Sequence, residues 1–181
     1  MAGGTDGSDR TLIFTYGTLK RGFANHSLMQ ALIASNDAVF LGQHRTDVKL
    51  PLVRGPHGVP FLLKLPGSGQ HLILGELYSV STRGLRHLDE LEGITLGHYE
   101  RLPIRVIPAE DDGTRGGDAT AAVEAEAYYA HRSFAEEMWK RSGGVGFGEY
   151  AEDAAKEYVK REARPKDRSF LDEIRLFCSS N

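Results

Sequence analysis

Three acids crowd the end of one short amphipathic stretch, Asp89, Glu90 and Glu92, in the run STRGLRHLDELEG that spans residues 81–93. Helical geometry separates them at about 100° per residue. With Leu85 set at zero, Leu88 falls at about 300° and Leu91 at about 240°, and the three leucines define the buried face. Glu92 falls at about 340°, within that face or at its edge, whereas Asp89 at about 40° and Glu90 at about 140° turn toward water. Glu92 also ends the helix, where the macrodipole disfavours negative charge. Burial acts in the same direction. Both effects raise its pKa above the ordinary value of about 4.3, toward that of a general base at neutral pH. Two other readings stay open: a frayed last turn with Glu92 in solvent, or an ion pair with Arg83 or Arg101.

The second chemical feature is a polar turn, Tyr16-Gly17-Thr18-Leu19-Lys20-Arg21-Gly22, which interrupts a β-patterned run. Its glycines, hydroxyl and cations suit a small anion, a phosphate, or simple chain reversal. The phosphate-loop order of Gly-x-x-x-x-Gly-Lys-Ser/Thr is absent. Gly17 has no Cβ, so backbone N–H groups there can approach a ligand closely. Thr18 offers a hydroxyl, Tyr16 a ring wall and a phenol, and Lys20 and Arg21 a positive rim that touches substrate or faces solvent. Tyr99 stands close after Glu92 in sequence, as a further wall or as a core strand residue. The seven histidines, at positions 26, 44, 57, 71, 87, 98 and 131, show no metal-ligand spacing, and Cys178 is the one cysteine.

These groups need elements to hold them. Residues 11–16 read as a strand with apolar residues on both faces. A helix from about Asn25 carries the apolar face Leu28, Met29, Leu32 and Ile33. Residues 38–53 hold one or two strands. Residues 61–65 and 71–80 pattern as a hairpin across a Pro-Gly-Ser-Gly turn. Ser81 is placed to cap the helix that ends near Leu91, closed by Gly93. Strands follow over 99–109 and 121–130, joined by the glycine-rich loop 111–118. Helices are predicted over 133–141, 149–163 and 166–177, the last with Phe170, Ile174 and Phe177 on one face. This order predicts an α+β fold, a mixed, mostly antiparallel β-barrel flanked by helices with a helical C-terminal tail, not a regular parallel alternation. The expected organisation is a disordered segment 1–10, a domain over 11–132, and a helical extension over 133–181 packed on it.

Composition bounds the partners. The 181 residues carry a formal net charge of −3. No basic excess points to nucleic acid and no polybasic block to a membrane surface. Without a signal-like segment or a long apolar run, the expectation is a cytoplasmic protein. A monomer is favoured.

Three patches together carry a resemblance. Residues 16–22 with Asn25-His26, the stretch 51–80, and LDELEG (88–93) followed by Tyr99-Glu100-Arg101 resemble the γ-glutamylcyclotransferase family. The branch they resemble is that of the γ-glutamylamine cyclotransferases and plant avirulence-induced-gene-like proteins. The likeness runs from about residue 12 to 130. It implies a β-barrel enzyme that releases 5-oxoproline from a small γ-glutamyl substrate without metal or cofactor. It implies that Tyr16, Gly17, Thr18, Leu19, Lys20 and Arg21 bind the γ-glutamyl group and that Glu92 is the catalytic base. A non-catalytic module that binds a small ligand or a partner in the same pocket is the alternative.

Overall fold

The structure, a computed structural model, describes residues 9–109 and 122–180. The predicted disordered segment falls almost wholly outside these residues, and the loop 111–118 does so completely. Strand β1 (Thr11–Thr15) buries two consecutive side chains, Ile13 and Phe14, on opposite faces. That double burial sets the plan. β1 pairs antiparallel with β5 (Leu72–Val80), which pairs with β2 (Ala38–Lys49). β2 pairs with β6 (Tyr99–Pro108) and β6 with β7 (Val123–Ala130), all antiparallel. A parallel contact from β7 back to β1, Ile13 opposite Glu126, closes a five-stranded barrel.

Period-two alternation then sorts the side chains. Phe14, Ile73, Leu77, Val106, Ala127 and Tyr129 form one cluster within the barrel. Ile13, Tyr78, Val80, Tyr128 and Ala130 point the other way and meet the helices. Helix α1 (His26–Ala34) buries Met29 and Leu32 there, while Ile33, predicted on the same face, is 39% exposed. Helix α2 (Thr82–Leu91) starts as the sequence predicts: the Ser81 hydroxyl accepts from the Gly84 N–H at 3.0 Å. Helices α3 (Ala135–Arg141) and α5 (Phe170–Ser179) pack together on the outer face, with Met138 and Ile174 buried.

Two predicted elements differ. The hairpin of residues 61–65 with 71–80 does not form. Strand β4 (Pro60–Leu62) pairs with β3 (Leu52–Arg54) and, through Leu62 opposite Tyr129, with the end of β7. Both edges of β5 are already taken by β1 and β2. The predicted helix 149–163 shrinks to one turn, α4 (Glu152–Ala155), and a 3-10 turn at Arg161–Ala163. Between them the Val159 N–H donates to the His57 carbonyl at 2.8 Å, a tertiary bond that displaces the helical one. Among the described residues, no helix is long and apolar enough to cross a membrane, and no group of three His, Cys, Asp or Glu could hold a metal ion.

Candidate active site

At the end of α2, Leu88 is fully buried, with Leu85 and Leu91 packed against the same cluster. These leucines fix the rotation of the last turn, and Glu92 caps it, its N–H donating to the Leu88 carbonyl at 2.9 Å. Gly93 then reverses the chain in the left-handed region at φ 63°, and any Cβ there would lie 2.3 Å from the His98 ring. Glu92 consequently lines a cleft with Tyr16, Gly17, Thr18, Leu19 and Tyr99. Burial pushes its carboxyl up to about 7; the charge of Arg161 opposes the shift and that of Asp89 adds to it. Among the described residues, nothing hydrogen-bonds the Glu92 carboxyl. The alternative partners are engaged elsewhere, Arg83 with Asp37 and Arg101 with Asp89 and Glu126.

Asp89, one turn earlier, shows the opposite treatment. Its Oδ1 accepts from Arg101 Nε at 2.9 Å and from the Tyr128 hydroxyl at 2.7 Å. The sequence pattern aimed this residue at water; instead it ties α2 to β6 and β7.

The turn delivers its first half to the cleft. Lack of a Cβ at Gly17 serves packing as well as access, since one would sit 2.6 Å from Pro60 Cγ. Among the described residues, the N–H groups of Gly17, Thr18 and Leu19 have no protein acceptor. Three consecutive free donors at a cleft suit an anion. The Thr18 hydroxyl accepts from Asn25 Nδ2 at 2.8 Å. The two phenols are not free for substrate, contrary to expectation for Tyr16. Tyr16 donates to the Tyr128 carbonyl and accepts from the Leu62 N–H, filling the gap where β1 meets β4 and β7. Tyr99 donates to the Pro60 carbonyl at 2.8 Å and stacks on Phe61 with centroids 4.8 Å apart. Both present rings as walls.

Lys20 and Arg21 do not line the cleft and form no positive rim to it. Lys20 is buried and donates from Nζ to the Tyr150 carbonyl at 2.7 Å. Arg21 pairs with buried Glu76 at 3.0 Å and lies 4.0 Å over the Phe40 ring. Each cation is held by an acceptor distant in the chain, Tyr150 and Glu76, neither of which lines the cleft.

The opposite wall was not anticipated by residue. Tyr158, Arg161, Arg164 and Phe170 come from the tail, His98 and Val59 from loops, and Pro60 from the start of β4. Arg161 Nη2 donates to the Leu91 carbonyl, closing the end of α2. Tyr158 reaches Asn25 Nδ2 through its hydroxyl at 3.4 Å. Phe170 stacks at 6.3 Å on Phe61 and meets the His98 ring edge-on at 5.1 Å. Arg161 falls near the end of the predicted helix 149–163 and Arg164 in the gap before the next, and neither position carries a motif that marks it as a cleft residue.

The family model described as gamma-glutamyl cyclotransferase, AIG2-like, matches residues 13–144. An Arabidopsis thaliana protein, provisionally named a gamma-glutamylcyclotransferase, is 58% identical over 174 residues, covering 94% of this chain and 92% of its own. The Rattus norvegicus gamma-glutamylaminecyclotransferase is 43% identical over 122 residues, 65% of this chain and 79% of its own. The crystal structure of an AIG2-like protein from Mus musculus superposes with a TM-score of 0.67 at 31% identity, covering 88% of this chain and 99% of that one.

Proposed function

The chain belongs to the AIG2-like gamma-glutamyl cyclotransferase family, and on that premise we propose that it cyclises a γ-glutamyl amide to 5-oxoproline with Glu92 as the proton carrier. One observation carries the reading. A partly buried carboxyl without a protein partner shares one cleft with the three free N–H donors of Gly17, Thr18 and Leu19.

The substrate brings its own nucleophile. Its α-amine attacks the γ-carbonyl carbon, the new C–N bond closes a five-membered ring, and the old C–N bond to the departing amine breaks. The chain has to fold the substrate into the near-attack shape, carry protons and hold the developing charge. Glu92 takes one proton from the α-ammonium before attack; the ring nitrogen gives up a second once the new C–N bond has formed, and Glu92 returns them in turn to the departing nitrogen, which leaves as an ammonium. An ammonium of pKa about 8 facing a carboxylate of about 4.3 leaves a gap of roughly 5 kcal/mol. With Glu92 at about 7 the gap shrinks to about one unit, or roughly 1.4 kcal/mol. The N–H donors hold the α-carboxylate or the oxyanion, worth about 3 kcal/mol for a well-placed oxyanion donor.

The test is 5-oxoproline release from a panel of γ-glutamyl amines and γ-glutamyl amino acids. Wild type turns over at least one class, and Glu92→Gln loses about 10³-fold in kcat while melting cooperatively. A folded Glu92→Gln protein that retains turnover within tenfold of wild type overturns the mechanism.

A further inference from the structure

Beyond the cleft lies a second cavity of about 210 Å³, lined by His98, Arg161, Arg164, Arg168, Phe170 and Glu173 among others. Four of these, His98, Arg161, Arg164 and Phe170, also line the cleft, so the two spaces share a wall. Among the described residues, none of the three arginines has a carboxylate within ion-pair distance. Arg161 donates to a carbonyl, and Arg164 donates to the Val159 carbonyl while lying over Tyr158 and Phe170. The acid in this cavity, Glu173, is hydrogen-bonded to His57, and one carboxylate against three guanidiniums leaves the cavity net positive. The other acid that faces Arg161 is Glu92 across the shared wall. Residues 158–170 hold five cations against two acids in a chain whose net charge is −3. Three arginines with unspent charge beside a cleft suit an anion, and guanidinium geometry matches a carboxylate.

We propose that this basic cavity receives the departing half of the substrate and selects γ-glutamyl amides whose amine carries a carboxylate, that is, γ-glutamyl amino acids or peptides, over neutral or cationic γ-glutamyl amines. The proposal rests on the cyclotransferase reading, since that reading places the γ-glutamyl half against Gly17–Leu19 and Glu92. The scissile nitrogen then faces the shared wall, and its substituent extends toward Arg164 and Arg168.

The experiment compares kcat/KM for γ-glutamylalanine, γ-glutamylpropylamine and γ-glutamylputrescine, which present an anion, no charge and a cation. Wild type favours the first over the last by at least tenfold, and the preference narrows as salt is raised. Arg164→Gln and Arg168→Gln each cut the ratio of γ-glutamylalanine to γ-glutamylpropylamine at least fivefold, through KM. Arg164→Lys, which keeps the charge, restores part of it. Preference for the neutral or cationic substrate overturns the proposal, as does an equal loss on all three substrates in both variants. If wild type releases no 5-oxoproline from any of the three, the cyclotransferase reading fails instead. Calorimetry then decides the cavity. Binding of γ-glutamylalanine weakened in Arg168→Gln, with γ-glutamylpropylamine unaffected, supports it, and equal binding of both by both proteins overturns it.

Discussion

The cleft has a barrel wall and a tail wall, and they are held by different means. On the barrel side, β1, β6 and β7 are locked into ladders, and Tyr16, Tyr99 and Asp89 bind backbone or arginine across them. On the tail side, Tyr158, Arg161 and Arg164 sit in irregular chain pinned by a few contacts, among them Val159 to His57 and Arg161 to Leu91. The proposed mechanism assigns proton transfer and ring closure to the ladder wall, and the substrate's variable half to the tail wall. Changes in the first should depress kcat, and changes in the second should alter KM and selectivity.

The largest departure expected from that division is Gly17→Ala. A methyl group 2.6 Å from Pro60 must displace either the turn or the start of β4. Overpacking costs about 1–3 kcal/mol, and displacing the donors by about 1 Å costs roughly 100-fold in kcat/KM. Steady-state kinetics with a denaturant melt checks both, and Pro60→Ala in the same chain should recover part of the loss. Next is Phe170→Ala on the tail side, for which KM rises about tenfold while kcat stays within about threefold, as expected when ground-state and transition-state contacts are lost equally. A fall in kcat without a change in KM would erase the distinction between the walls.

Two charges act on Glu92 in opposite senses, Asp89 on α2 and Arg161 on the tail wall. Asp89 raises the Glu92 pKa and Arg161 lowers it. Asp89→Asn should therefore move the acid limb of the rate profile to lower pH, and Arg161→Gln should move it to higher pH. Shifts in the same direction would show that one of the two acts through distortion. Smaller still is an effect on stability. The folded chain holds the Glu92 proton more tightly than the unfolded chain does, so stability is lost as pH rises from about 4.5 to about 7. Glu92→Gln removes that cost. It should gain about 3 kcal/mol at pH 8, and the gain should vanish near pH 4, in paired chemical-denaturation curves.

The barrel wall was the legible one. Double-sided burial of β1, the Ser81 cap and the inward rotation of Glu92 all follow from local periodicity, which is what a sequence records most directly. Asp89 escaped because a helical wheel gives direction but not the arginine that reaches over from β6. The fates of Lys20 and Arg21 depended on Tyr150 and Glu76, more than fifty residues away in the chain. The β3–β4 pairing escaped for a similar reason, since a turn signal shows where the chain reverses and not which strand edge is vacant. The tail was least legible. Its helix-forming composition predicted α-helix over 149–163, whereas side chains from irregular segments carry the wall, and the bond from Val159 to His57 overrides the local preference.

The proposed mechanism depends most on Glu92 being a free carboxyl that titrates near neutrality and moves the proton. The direct measurement is the pH dependence of kcat/KM for 5-oxoproline release by wild type between pH 5 and 9. An acid limb with a midpoint near 7 is expected, because the base must be ionised in the free enzyme. That limb should be absent from the residual activity of Glu92→Gln. A profile flat down to pH 5, or an unchanged limb in Glu92→Gln, would contradict the assignment.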